Sequence, residues 1–136
     1  MRDVKHILLP TDFSENAAVA FPAAIALARR FDATLHLLHV VPTPQAAYQI
    51  LGDANFPEQG EEVPRRCERQ LLDLAAKFPN IRTEIHVADG DAAEELVGFA
   101  SRQRVDLVTI ASKGQTGLKR FMLGSTAEKV VRTAPC

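Results

Sequence analysis

The sequence predicts an α/β fold: an open, mainly parallel sheet with helices on both faces. Three observations point to it. Apolar strand-like runs alternate along the 136 residues with segments of helical spacing. Two of those runs, TLHLLHVV at 34–41 and VDLVTI at 105–110, are apolar on both faces, as strands buried in a parallel sheet are. Strand ends run into Pro, Asp or Gly-Ser turns that open helices, and such βαβ units cross over right-handedly. The length suits one domain, residues 1–136, around a single core.

Residues 4–9 (VKHILL) read as the first strand, stopped by Pro10. The turn Thr11-Asp12-Phe13-Ser14 follows, with Ser14 as N-cap of an alanine-rich helix over 17–30. Pro22 lies inside that helix and is expected to bend it. Asp32-Ala33 turns the chain into the second strand, 34–41, which Pro42 and Pro44 end. Residues 43–60 mix Pro, Gly, Gln and Asn and read as a long loop. A helix over 63–78 gathers Val63, Cys67, Leu71, Leu74 and Phe78 on one face, and Pro79-Asn80 stops it. Residues 81–87 alternate as a third strand, the pattern of an edge strand with one wetter face. Asp91 with Glu94 fits a capping box for the next helix, whose apolar face is Leu96, Val97, Phe99 and Ala100. The fourth strand, 105–110, leads through a glycine-bearing basic loop to a last helix ending near Ala134.

The stretch from Ala111 to Ser125, ASKGQTGLKRFMLGS, is the chemically suggestive part. It joins a buried strand to a helix N-terminus, which presents backbone N–H groups and a partial positive charge to an anion. Lys113, Lys119 and Arg120 add positive charge, and Ser125 either caps the helix or turns its hydroxyl to the anion. A plain β–α connection using Gly for its turns has the same pattern. In an open α/β sheet ligands bind beyond the carboxyl ends of the strands where strand order reverses. Asp12, Val40 and Ile110, Ala111 and Ser112 all fall at such ends and can converge on one crevice.

Hydrophobic residues at 46%, charged residues at 24% and a net charge of −1 exclude a strongly basic nucleic-acid binder. No run approaches a membrane span, and the N-terminus lacks a signal peptide's longer apolar region. Two cysteines, Cys67 and Cys136, without CxxC spacing suit a cytoplasmic protein with reduced thiols. His36 and His39 fall on opposite strand faces and cannot chelate a metal together, so they read as packed or surface residues, as do His6 and His86. No Ser/His/Asp, Cys/His or metal-ligand set stands out, and GxxxxGK[ST] and a GxGxxG after the first strand are both absent.

ILLPTDFSENA, LHLLHVV, GDAAEEL and VDLVTIASKGQTGLKRFMLGSTAEKVVRTAPC together resemble the universal stress protein family over nearly the whole chain. The resemblance implies a Rossmann-like sheet of the adenine-nucleotide alpha hydrolase type. Its ATP-binding members carry G-x2-G-x9-G-[ST]; Gly114 and Gly124-Ser125 match the second half, and Ala111 stands at the first glycine. By resemblance, Pro10, Thr11 and Asp12 serve the adenine and ribose end, and the main chain of Val40 meets the adenine edge. Ile110, Ala111 and Ser112 line the ribose side, while Gly114, Gly124, Ser125 and Thr126 hold the phosphates. The expected ligand is ATP or AMP, with or without magnesium. Any hydrolysis would be slow, since no general base is evident. Family members continue past a Pro-Cys with a fifth strand that pairs two subunits. The sequence ends at Cys136, so that strand is expected to be missing and the homodimer to form, if at all, in another way. Two functions follow from the family: a cytoplasmic nucleotide-dependent regulatory module, with 43–60 as its moving surface, or a stress protein that binds no nucleotide and acts through self-association or partner docking. Ala111 favours the second.

Overall fold

The computed structural model describes residues 3–42, 62–112 and 124–136. The expected loop at 43–60, and Lys113, Gly114, Lys119 and Arg120, lie outside the described residues. The described elements run β1 (His6–Pro10), α1 (Glu15–Ala18), α2 (Phe21–Phe31), β2 (Thr34–Val41), α3 (Glu62–Ala75), β3 (Thr83–Asp89), α4 (Ala92–Arg102), β4 (Leu107–Val108) and α5 (Ser125–Thr133).

Among the described residues, four parallel strands stand in the order β3-β2-β1-β4. The chain builds outward from β1 through β2 to β3, then returns to β1's other side, so order reverses between β1 and β4. β3 is an edge strand, as its alternation suggested. β4 is shorter than the sequence suggested, but Asp106 N–H donates to His6 O (2.8 Å) and Thr109 N–H to Leu8 O (2.9 Å), extending the pairing on either side. The Asp106 carboxylate accepts from the Lys5 and His6 amides at 2.8 and 3.0 Å, fastening the start of β1 to this edge.

Alternation along the strands sends side chains to two cores. Ile7, Leu9, Leu35 and Leu37 pack with Ala24 and Ala28 of α2 and Leu71 of α3. Leu8 and Leu38 face the other way, against Leu96, Phe99 and Ala100 of α4 and Val130 of α5. Helices therefore cover both faces, as a buried parallel sheet requires.

Two local expectations are corrected. Pro22 does not bend one continuous helix: α1 ends at Ala18, and Pro22 sits in the first turn of a separate α2. A proline has no N–H to donate, which costs nothing in a first turn and a hydrogen bond in a helix interior. Ser125 is not the cap of the last helix; Gly124 is its N-cap, without a side-chain cap hydrogen bond, and Ser125 is the first helical residue.

Ser14 and Asp91 do cap. Ser14 Oγ accepts from the Ala17 amide at 3.1 Å, and Asp91 Oδ2 from the Glu94 amide at 3.0 Å. Asp91→Ala should destabilise the chain by about 1 kcal/mol in urea denaturation, the usual cost of an orphaned N-terminal donor; an unchanged midpoint would show that α4 is held by packing alone.

Candidate functional site

The reversal of strand order sets β1 and β4 side by side, and a cleft of about 170 Å³ opens beyond their carboxyl ends. Pro10, Thr11 and Asp12 leave β1 into its floor, Val40 comes from β2, and Ile110, Ala111 and Ser112 follow β4. Gly124 and Thr126 bring the N-terminal end of α5 to the rim. Nine of the residues singled out in the sequence thus surround one space. Ser125 does not line it and is exposed. Gly114 lies outside the described residues.

The turn after β1 is held by short-range hydrogen bonds. The Thr11 amide donates to Leu38 O at 2.9 Å, and Thr11 Oγ1 accepts from the Phe13 amide at 3.0 Å. Asp12 Oδ1 accepts from the Ser14 amide at 2.9 Å and from the Ser14 hydroxyl. Phe13 takes a left-handed φ of 66°, which these bonds impose on a residue that ordinarily avoids it. Asp12 is therefore a turn-former whatever else it contacts. At the rim, the Gly124 amide donates to Ser112 O, joining the two ends of the segment between β4 and α5.

Six further lining residues were not among the site residues expected from the sequence: Ala17, Leu38, His39, Ala92, Leu96 and Ala127. Most are small or apolar residues at helical or strand spacing, indistinguishable in a sequence from core. His39 is the informative one. Its Nδ1–H donates to Thr11 O at 2.8 Å and its ring packs on Phe13 with centroids 4.5 Å apart. The carbonyl fixes the neutral tautomer, leaving Nε2 as an acceptor. The cleft wall is thus largely apolar, with hydroxyl, imidazole and carboxylate groups at few points, the composition of a small-molecule site.

A second cluster lies on the α4 face of the sheet, nearer the start of the strands. His36 Nε2 lies 3.0 Å from His6 Nδ1, and His36 Nδ1 lies 3.1 Å from His86 Nε2 and 3.2 Å from Glu84 Oε2. Phe99 packs against His36 and His86 with ring centroids 5.6 and 4.6 Å away. Burial pushes the His36 pKa down to about 4, against the attraction of Glu84 and with the help of His86 and His6. Burial lowers His86 too, opposed by Glu84. His6, His36 and His86, read from the sequence as packed or surface residues, are brought together across three strands by parallel register.

The family model described as the universal stress protein family matches residues 3–136. Universal stress protein MJ0531 of Methanocaldococcus jannaschii is 31% identical, over 97% of this chain and 78% of its own length. Universal stress protein MJ0577 of the same organism is 31% identical, over 94% of this chain and 88% of its own length. A solved structure of MJ0577 superposes with a TM-score of 0.82 at 25% identity, covering 98% of this chain and 92% of that one. A universal stress protein solved in complex with cAMP shares the fold, with a TM-score of 0.64 at 22% identity over 98% of this chain and 93% of its own. No helix among the described residues is long and apolar enough to cross a membrane.

Proposed function

We propose that this chain, which belongs to the universal stress protein family, binds an adenine nucleotide in the cleft beyond β1, β2 and β4 and serves as a nucleotide-dependent regulatory module. The observation that carries the reading is the meeting of an apolar strand-end cleft with the N-terminal end of α5. The apolar wall of Val40, Leu38 and Ile110 suits a flat base. The α5 end, with Gly124 as N-cap and Thr126 on the rim, suits phosphate, because first-turn amides lack intrahelical partners and carry the positive end of the helix dipole. A space of about 170 Å³ takes the base and ribose side, with the phosphates running toward Gly124. Asp12 and His39 line the same cleft on the side that would take the ribose and base. That a relative holds cAMP supports the adenine-nucleotide class.

Calorimetry of ATP on nucleotide-stripped protein, with and without magnesium, tests the reading; micromolar binding is expected. Gly124→Val, which adds a branched side chain at the rim, should weaken that binding by at least about tenfold, or 1.4 kcal/mol, in a chain that remains folded. Undiminished binding in that variant would count heavily against the site.

A second reading is a universal stress protein that binds no nucleotide and acts by self-association or partner docking. Ala111, which lines the cleft at the position where ATP-binding members of the family carry glycine, favours it. Absence of binding at millimolar ATP by the folded chain, with binding gained in Ala111→Gly, would establish it.

A further inference from the structure

We propose that His36, His86 and Glu84 form a binding site for a divalent transition-metal ion, with Zn²⁺ as its representative. The site sits on the α4 face of the sheet, below Phe99, and does not involve the nucleotide cleft.

The geometry starts from register. Glu84 stands opposite His36, and His86 opposite Leu38, on the adjacent parallel strand, so all three side chains leave the same face. One donor atom from each lies within 4.8 Å of the others, and two of the separations, 3.1 and 3.2 Å, meet at His36 Nδ1. Ligands bound to Zn²⁺ at about 2.0–2.2 Å in tetrahedral array stand about 3.4 Å apart. The set therefore needs only small side-chain adjustment to enclose an ion.

Hydrogen bonding alone serves this point poorly. A neutral His36 ring has one N–H. Placed on Nδ1, that hydrogen is shared by two acceptors, the Glu84 carboxylate and His86 Nε2. Placed on Nε2, it lets Nδ1 accept from His86 Nε2–H, and the contact left without its own hydrogen is that between Nδ1 and the Glu84 carboxylate. A cation at the meeting point satisfies three lone pairs at once. His36 then carries its hydrogen on Nε2 and donates it to His6 Nδ1, 3.0 Å away, the outer-shell bond that orients most metal-ligating histidines. Two imidazoles and one carboxylate select zinc or another first-row divalent ion over calcium or magnesium, which prefer all-oxygen sites.

Access and rigidity also fit. His36 is 1% exposed and its ring is braced by Phe99, while the Glu84 side chain is 61% exposed at the sheet edge. The ion enters from β3 and meets a fixed inner ligand. Three protein ligands leave at least one position for water, the pattern of an open rather than a closed zinc site.

The test is calorimetric titration of Zn²⁺ into the untagged, chelator-treated chain, in a Cys136→Ser background so that the terminal thiol supplies no ligand. One saturable site per chain at submillimolar zinc is expected. Glu84→Gln, at a largely exposed side chain that the fold tolerates, should weaken it by at least about tenfold, and His6→Gln by about 10–100-fold through the outer shell. The Glu84→Gln, His86→Gln double variant should show no saturable site while keeping its far-ultraviolet circular dichroism. Lack of a one-to-one site in the parent, or a loss smaller than tenfold in Glu84→Gln, overturns the proposal.

Discussion

Leu37→Ala should destabilise the chain by about 2–5 kcal/mol, the range for removing a buried leucine whose surroundings cannot collapse into the space. Leu37 is fully buried on the central strand β2, opposite Leu9 on β1 and Ile85 on β3. Its neighbours on both sides are hydrogen-bonded strands, and α2 and α3 close the core above it. Backbone held on two sides relaxes little, so the value should fall in the upper half of the range. Val131→Ala removes a smaller side chain, 70% exposed on α5, and should change stability by less than about 0.5 kcal/mol. Urea denaturation of the two variants gives the comparison. Similar midpoints would mean that β2 is not the centre of the core.

Acidification should cost nearly as much. In the unfolded chain a histidine takes its proton near pH 6.5, whereas burial holds His36 neutral down to about pH 4 in the fold. Between those values the unfolded state binds more protons, so stability is complete above pH 6.5 and falls as pH drops toward 4. At roughly 1.4 kcal/mol per pH unit, the loss by pH 4.5 is about 2–3 kcal/mol. The lowered His86 acts in the same direction. Urea denaturation in the presence of chelator, at pH 7.5 and 4.5, measures it. His36→Leu, which fills the site without a titrating group, should flatten most of the slope. A parent whose stability does not change across this interval would show that the cluster takes up protons in the folded state without strain.

Where the sequence was legible, local chemistry carried the information. β2 runs over the residues expected of it because Asp32 adopts a left-handed φ of 51° before it and Pro42 follows it. Ser14 and Asp91 cap as expected because a cap is decided within three residues. Residues that follow strand ends were legible as cleft residues, since topology puts all such ends on one side. What could not be read needed distance information. Ala92, Leu96 and Ala127 look like core in any helix, and only the packing of α4 and α5 brings them to the cleft. His6, His36 and His86 are separated by 30 and 50 positions, and their contact depends on strand order and register. The cap alternative for Ser125 fails because Gly and Ser are both good cap residues, and one position decides which of them takes the extended conformation, here Gly124 with ψ of 155°.

The turn from Thr11 to Ser14 belongs to neither helix nor strand, yet its backbone is tied at nearly every step: to Leu38 O, to Thr11 Oγ1, to Asp12 Oδ1 and, through His39, to the Thr11 carbonyl. The conformational entropy of that wall is lost when the chain folds, not when a guest arrives. A molecule entering beside it meets a preorganised surface, so its affinity reflects shape and polarity with little ordering cost on that side. The amides of Phe13 and Ser14 should accordingly exchange with solvent deuterium at rates closer to those of the sheet than of a surface loop.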